Sequence, residues 1–324
     1  MSSTAQRTEK AAKTAAIRPL EEADLPAADH IMRLAFGTFL GVPEPLEVFG
    51  DIEYVRGRWL ADPSAAYAAE LDGEIVGSNF ATRWGSFGFF GPTTVHPDFE
   101  DRGIGTKLME PIMECFDRWK LSHAGLFTWP QSPKHIGLYN KFGFWPRFLT
   151  AVGSMPVGKP STRPDWSVYS ELPEGERQSC RDACRELTDA IYEGLDLERE
   201  ITATDVQGLG ETVLLRDNSA LVGFAVCHCG KGESGSGVCF IKFGAVRPGP
   251  KAPGHFDQLL DACKELAAAK SLPRLDAGVN MARHDAHRKM LDRGFKTWLQ
   301  GVAMEKPNEP GYNREDVYVI DDWR

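Results

Sequence analysis

The stretch Val95-His-Pro-Asp-Phe-Glu-Asp-Arg-Gly-Ile-Gly-Thr-Lys-Leu108 carries the clearest structural signal in this chain. It places two glycines between a strand-like run and the start of a helical pattern, where backbone N–H groups lack partners and the helix dipole favours anions. Gly103 and Gly105 allow a phosphate to approach the backbone, and Arg102 and Lys107 add positive charge. The stretch predicts a pyrophosphate cradle, although a glycine pair can also mark a simple tight turn.

The residues before this stretch predict an α/β layer. Residues 17–25 indicate a short strand followed by a helix, and Asp72-Gly73 is a two-residue hairpin signal between the strand-like runs 66–70 and 74–83. One further strand is predicted over residues 87–95. These strands indicate an antiparallel meander leading into the cradle.

The residues after the cradle complete one domain. A helix is predicted from Ile104 to Trp119, a strand over residues 124–129 and a short helix over residues 133–141. The run from Phe144 to Met155 is expected to close the sheet. The Pro/Gly/Ser-rich residues 156–164 predict a linker, and residues 165–324 then form a second domain.

The second half repeats the first at a constant spacing. Val95 matches Val246, Gly103 matches Gly254 and Gly143-Phe144 matches Gly294-Phe295, each pair 151 positions apart (246 − 95, 254 − 103, 294 − 143). A constant offset over several landmarks is the signature of a duplicated unit. The chain is therefore expected to contain two copies of one fold.

The first copy resembles the GNAT superfamily of N-acetyltransferases, whose signature Q/R-x-x-G-x-G/A follows a strand. Here it is Glu100-Asp-Arg-Gly-Ile-Gly105, and Tyr139 stands four residues before the family's Gly-Phe pair. Glu100 departs from the family pattern, which has Gln or Arg at this position. It would place a negative carboxylate near the phosphates, and the positive charge of Arg102 is expected to compensate for it in part. The resemblance implies an α/β protein with two tandem GNAT-like domains, each a mixed, mostly antiparallel sheet flanked by helices.

The resemblance also implies a site for acetyl-CoA in the catalytic domain, residues 17–155. Its pyrophosphate would lie on residues 102–106 and its pantetheine arm beside residues 94–96, whose backbone would polarise the thioester carbonyl. The residues implied in cofactor binding are Thr94, Val95, His96, Arg102, Gly103, Ile104, Gly105 and Thr106.

Two side chains are candidates for proton transfer. The resemblance implies that Tyr139 protonates the departing CoA thiolate, although a tyrosine at helical spacing also fits a core position. The strand before Val95 lacks the glutamate that serves many relatives as general base, which leaves His96 or a water chain to bulk solvent as the base. His96 also fits a plain loop residue ahead of the turn.

The second copy carries changes that predict loss of cofactor binding. Phe256 stands where the first copy has Gly105, Met290 stands where it has Tyr139, and Pro250 and Pro253 remove N–H donors. We expect residues 165–324 to be a degenerate copy that walls the acceptor cleft or mediates a homodimer. Its terminal run Val317-Tyr-Val-Ile320, with Trp323, is expected to extend a sheet edge.

The predicted function is transfer of an acetyl group from acetyl-CoA to a primary amine by direct attack in a ternary complex. The acceptor is a small-molecule or protein amine of unidentified structure. The alternative is a non-catalytic acyl-CoA-binding sensor or scaffold. A nicotinamide dinucleotide site is disfavoured because the turn lacks the full G-x-G-x-x-G pattern and the strands before it are antiparallel.

Composition limits the remaining classes of partner. A net charge of −9 over 324 residues argues against nucleic acid and mildly favours a cationic substrate. The polar residues 1–16 predict a disordered leader rather than a signal peptide, and no membrane span is predicted, so we expect a cytoplasmic protein. The seven cysteines suggest no disulfide framework, and Cys227-His228-Cys229 lacks a second ligand pair, so no metal is predicted.

Overall fold

A computed structural model describes residues 14–159 and 166–324. The strands are β1 (Ala16–Pro19), β2 (Ala66–Leu71), β3 (Glu74–Trp84), β4 (Phe87–Phe90), β5 (Thr94–Val95), β6 (His123–Thr128), β7 (Trp145–Pro156), β8 (Trp166–Val168), β9 (Gly210–Asp217), β10 (Ala220–Cys229), β11 (Val238–Val246), β12 (Arg274–Asn280), β13 (Lys296–Lys306) and β14 (Val319–Ile320). The helices are α1 (Leu25–Leu40), α2 (Val55–Ala61), α3 (Ile104–Trp119), α4 (Pro133–Asn140), α5 (Glu174–Asp189), α6 (Glu198–Val206), α7 (Ala252–Ala269) and α8 (His284–Asp292).

Each half forms the mixed, mostly antiparallel sheet that was predicted. The sheet runs β1-β2-β3-β4-β6 in the first half and β8-β9-β10-β11-β12 in the second, and the only parallel pairs within the described residues are β4–β6 and β11–β12. The predicted hairpin is present, with Leu71 opposite Glu74 and positive φ at both Asp72 and Gly73. Most of the predicted leader (1–13) and part of the predicted linker (160–164) fall outside the described residues.

Helices cover both faces of the first half because its strands alternate in burial with a period of two. On β2, Ala66 and Ala68 pack under α1 and α2, whereas Tyr67 and Ala69 face the other way. The opposite face carries the core of α3, built on Leu108 and its helical neighbours. This arrangement leaves the N-terminus of α3 at the end of the central strands.

The closing strands of the two halves are exchanged. We expected Phe144 to Met155 to close the first sheet, but β7 pairs with β12 and β13, and it is β13 that pairs with β6. The two halves therefore form one continuous sheet. The expectation was wrong because β7 and β13 are equivalent strands of the two copies, so each fits the place of the other. The hydrophobic pattern of a strand also does not specify which strand lies beside it.

The run predicted as one strand over residues 87–95 is two strands. β4 pairs with β3 at Ala81–Trp84, and β5 pairs with β3 at Gly77–Ser78. Between them Gly91 has φ +137° and Pro92 has no N–H to donate. The break turns the chain at the place where the central strands separate.

Two further properties concern the described residues. None of their helices is long and apolar enough to cross a membrane. Their side chains also include no group of three or more His, Cys, Asp or Glu that could hold a metal ion.

Candidate active site

A cleft opens in the first half where two parallel strands diverge. β4 and β6 pair from Phe87–His123 to Phe89–Gly125, after which β5 follows β3 while Thr128 of β6 pairs with Val302 of β13. No other strand of the described residues fills the gap. Its volume is about 560 Å³.

The N-terminus of α3 lies at one wall of the cleft. Gly103 is the N-cap residue with φ +76°, a conformation that favours glycine, and it has no side chain with which to cap the helix. A Cβ at Gly103 would meet nothing within 4 Å, and one at Gly105 would meet only Leu138, at 3.5 Å. The first N–H groups of the helix are therefore free to bind an anion.

The backbone of β5 supplies a donor to the same cleft. The N–H of His96 donates to the carbonyl of Val76 at 2.9 Å, and Val95 lies opposite Gly77. Successive N–H groups of a paired antiparallel strand point alternately toward and away from the partner. The N–H of Val95 therefore faces away from β3 and into the cleft.

The other wall is α4, which presents Tyr139 to the cleft. Tyr139 is buried, and burial raises its pKa to about 12, while hydrogen bonds from the hydroxyls of Thr93 and Thr128 act in the opposite direction. The phenol is thus protonated at neutral pH and lies where the strands diverge. The arrangement combines an anion cradle, a strand-edge donor and a protonated hydroxyl.

Comparison with known proteins agrees with this geometry. Residues 29–144 match the model of the acetyltransferase (GNAT) family. This part of the chain is similar to GNAT acetyltransferases.

Solved structures extend the likeness of fold to the whole chain. A presumed acetyltransferase from Pyrococcus horikoshii is 18% identical with a TM-score of 0.69, covering 96% of this chain and 95% of that one. A GCN5-related N-acetyltransferase from Sphaerobacter thermophilus is 18% identical with a TM-score of 0.58, over 90% and 95% of the two chains. A tandem GNAT protein from the clavulanic acid biosynthesis pathway is 13% identical with a TM-score of 0.53, over 90% and 98%. The protein therefore has a tandem GNAT fold.

Most of the residues predicted for cofactor binding line the cleft of the GNAT domain. Those in contact with it are Thr94, Val95, Gly103, Ile104, Gly105 and Thr106, together with Tyr139. Lys107, expected to add positive charge, instead donates to the carbonyl of Ala15 at 3.1 Å. The structure thus brings the backbone cradle and the tyrosine together.

His96 and Arg102 are directed elsewhere. The Nδ1 atom of His96 accepts from the N–H of Asp98 at 3.2 Å and caps a short 3-10 turn. Arg102 donates to the carbonyl of Asp98 at 3.2 Å and stacks over the ring of Phe99. Neither side chain lines the cleft, so both of their proposed roles remain predictions.

Lys134 is a contributor that sequence reasoning missed. Its Nζ lies 2.6 Å from Glu100 and 3.0 Å from Asp101, the two carboxylates beside the cradle. Burial acts to lower the pKa of Lys134, but the two carboxylates raise it overall. Glu100, the residue that departs from the family pattern, is therefore paired with a lysine 34 residues later in the chain. The sequence does not show which distant lysine faces this carboxylate.

Aromatic side chains form the remaining wall. Phe36 and Phe39 of α1 line the cleft with Trp129, and the rings of Phe39 and Trp129 are 5.7 Å apart. His135 of α4 joins this wall, with its ring 5.0 Å from that of Phe39. The sequence analysis did not single out His135, although its position four residues before Tyr139 gives both the same helix face.

In the second copy the corresponding cleft is filled by the protein's own chain. Arg247 donates to Val222 at 2.8 Å, as His96 does to Val76, but the next N–H inward, that of Val246, donates to the carbonyl of Tyr318 at 3.3 Å. β14 continues this contact by pairing with Gly244 and Ala245 of β11. The terminal run thus occupies an internal cleft, and our expectation that it extends a sheet edge was wrong.

Side chains consolidate this filling. Phe256, at the position of Gly105, lies 5.4 Å from the ring of Tyr318 in a core that also contains Met290. Arg283, the N-cap residue of α8, is fully buried and donates to the carbonyl of Val319 at 2.7 Å and to Asp321 at 2.6 Å. We call residues 317–321 the plug segment.

Proposed function

We propose that residues 17–155 transfer an acetyl group from acetyl-CoA to a primary amine by direct attack in a ternary complex. The observation that carries this proposal is the contrast between the two clefts. The N–H of Val95 points into an open cleft, whereas that of Val246 is taken by the plug segment. The cradle and the strand-edge donor are thus open in the first copy, whereas in the second copy the protein's own residues fill the corresponding places.

The residues of the first cleft fit acetyl-CoA. The free N–H groups of Ile104 to Thr106 suit a pyrophosphate, the glycines leave room for it, and the N–H of Val95 suits an amide or thioester carbonyl. When bound, acetyl-CoA supplies an acetyl group activated as a thioester.

Side chains of the protein then donate the proton that the departing sulfur needs and line the path by which the acceptor enters. Tyr139, protonated at neutral pH, donates a proton to the departing sulfur and holds its hydroxyl near Thr93 and Thr128. The acceptor, an amine of a small molecule or of a protein, enters past the aromatic wall formed by Phe36, Phe39 and Trp129. The net charge of −9 favours the approach of an ammonium group.

A non-catalytic acyl-CoA sensor is the second candidate. The absence of a carboxylate on the strands from Phe87 to Val95, all of them described, favours it. Glu100 weighs less in its favour than the sequence alone suggested, because Lys134 pairs with that carboxylate.

Calorimetric titration with acetyl-CoA tests the site. We expect one site per chain, and we expect Gly105→Phe to abolish it, because the phenyl ring would fill the cradle as Phe256 fills the second cleft. Gly175→Phe is the matched control, since Gly175 is an exposed glycine of α5 whose Cβ would meet nothing within 4 Å. Two sites per chain, or unchanged binding by Gly105→Phe, would contradict the assignment of the cradle.

The release of free CoA thiol over a panel of primary amines separates the two candidates. An enzyme releases CoA in an amine-dependent manner, and mass spectrometry finds the amine acetylated. Tight binding of acetyl-CoA with no product from any amine would favour the sensor.

A further inference from the structure

His135 shares the face of α4 that carries Tyr139. The two residues are four positions apart, so their side chains are neighbours on the helix surface, and both line the same cleft. The N–H of His135 donates to the Ser132 hydroxyl that caps α4, so capping uses the backbone of His135 and not its ring. The imidazole is therefore presented to the cleft without a capping duty.

One nitrogen of the ring also lacks a hydrogen-bond partner among the residues that the structure describes. Within the described residues, Nδ1 of His135 is buried and makes no hydrogen bond. A buried polar atom without a partner is costly, and such atoms in native proteins call for an explanation such as a ligand. Nδ1 of His96, by contrast, already accepts a structural hydrogen bond from Asp98.

The surroundings keep the imidazole neutral. Burial, followed by the charge of Lys134, lowers the pKa of His135, and Glu100 opposes this. The other charged groups nearby are Asp101, which pairs with Lys134, and Lys141 at the cleft edge. Phe39 of α1 and Trp129 are uncharged, and Tyr139 is protonated. A neutral imidazole can accept a proton at physiological pH.

We propose that His135 is the general base that takes a proton from the acceptor amine. The proposal rests on the acetyltransferase function proposed above. A proton moves from the acceptor's ammonium nitrogen to the imidazole, and the lone pair left on nitrogen forms the new C–N bond as the C–S bond breaks. The nitrogen loses a second proton on becoming an amide, which restores the one that Tyr139 gives to sulfur. The imidazolium returns its proton to water.

His135 lies in the cleft, whereas the side chain of His96 does not line it. The ring of His135 is 5.0 Å from that of Phe39, so an amine entering past Phe39 passes beside the imidazole. Ring faces also attract an ammonium group. An alkyl- or arylammonium acceptor is therefore the substrate class that this wall favours.

Proton NMR of the full-length protein tests the location without requiring turnover. The imidazole signal of His135 is assigned by its loss in His135→Asn, with His284→Asn, an exposed histidine of the second copy, as the matched control. We expect saturating CoA to shift this signal, and its titration midpoint to lie below the usual 6.5. An unmoved His135 signal while other histidine or aromatic signals respond to CoA would overturn the proposal alone. No response of any signal to CoA would overturn the proposed function as well.

The pH profile of turnover tests the chemistry. With saturating 2-phenylethylamine we expect His135→Asn to lower kcat about 100-fold at neutral pH, and the deficit to shrink near pH 10, where the amine loses its own proton in solution. His284→Asn should match the wild type throughout. A deficit that is equal at every pH, or a change confined to the KM for acetyl-CoA, would assign His135 to cofactor positioning and overturn its role as base. If 2-phenylethylamine is not acetylated, the NMR result decides.

Discussion

At the scale of single residues, Tyr139 combines burial with two hydroxyl neighbours. Burial raises its pKa to about 12, so the phenol is protonated across the range in which the protein is expected to act. The ring packs against that of Phe90, with centroids 5.6 Å apart, and Phe90 in turn packs against Phe144 at 5.5 Å. The ring therefore fixes the hydroxyl, and the hydroxyl itself is dispensable for packing.

Tyr139→Phe separates these two properties. We expect kcat to fall about 100-fold, because proton donation to the sulfur is lost, while the unfolding midpoint stays within a few degrees of the wild type. Steady-state rates and a thermal melt measure the two effects. The variant should bind acetyl-CoA normally by calorimetry, and unchanged turnover over the whole pH range would remove Tyr139 from the mechanism.

At the residue level, the structure brings to one cleft those predicted residues whose roles depend on the backbone alone. The glycines and Val95 act through N–H groups and space, and the spacing of a strand, two glycines and a helix specifies these directly. Sequence reasoning missed Lys134 and His135 because their surroundings come from residues that are distant in the chain. Lys134 faces Glu100, and His135 faces Phe39. The phosphate contact of Arg102 stays a prediction, because in this structure its guanidinium lies over the ring of Phe99.

At the scale of elements, the plug segment explains why the second copy keeps a GNAT fold without an open cleft. The divergence of β11 and β12 leaves backbone donors that need partners, and the plug segment satisfies them from within the chain. Sequence reasoning predicted the loss of cofactor binding from Phe256 and Met290, and both side chains lie in the core of this half. It placed the terminal strand at an edge because a short apolar run carries no information about which strand it pairs with.

Arg283→Met tests the anchoring of the plug segment. Arg283 and Asp321 are both fully buried and paired at 2.6 Å, and removing the guanidinium leaves a buried carboxylate with Tyr312 as its remaining partner. Breaking such a pair typically costs about 3–5 kcal/mol. Urea denaturation should show this loss, whereas Arg288→Met, an exposed change on the same helix, should show less than about 1 kcal/mol. Equal midpoints for the two variants would mean that the pair does not stabilise the fold.

At the scale of the whole molecule, the two copies are joined by more than a linker. β7 has both of its sheet neighbours, β12 and β13, in the second half. Val302 and Met304 of the second half belong to the core of the first, and Trp84, Phe87 and Phe89 of the first half share a core with α5 and α6. The sequence showed the duplication but not the exchange of β7 and β13 between the copies, since each of these strands fits beside the central strands of either copy.

Buried charges also cross between the halves. Arg58 lies 2.9 Å from Glu233, which lies 2.8 Å from Lys242, and Lys242 lies 3.1 Å from Glu200. Arg58 belongs to the first half and the other three to the second. Burial acts to raise the pKa of Glu233, but Arg58 and Lys242 hold it well below its usual range. Separating the halves would take the Arg58 guanidinium away from Glu233, while Glu233, Lys242 and Glu200 would stay together in the second half.

We therefore expect the chain to unfold as one unit. Differential scanning calorimetry should give a single transition whose calorimetric and van't Hoff enthalpies agree, because neither half has a complete sheet or core without the other. A fragment of residues 1–158 should lack a cooperative transition, since β6 loses β13, β7 loses both of its neighbours and the core of α3 loses Val302 and Met304. Co-expression with residues 159–324 should restore the transition and acetyl-CoA binding. A fragment 1–158 that melts cooperatively and binds acetyl-CoA would show that β7 can fold back beside β6, in which case the exchange would be one of two accessible pairings rather than a requirement of the fold.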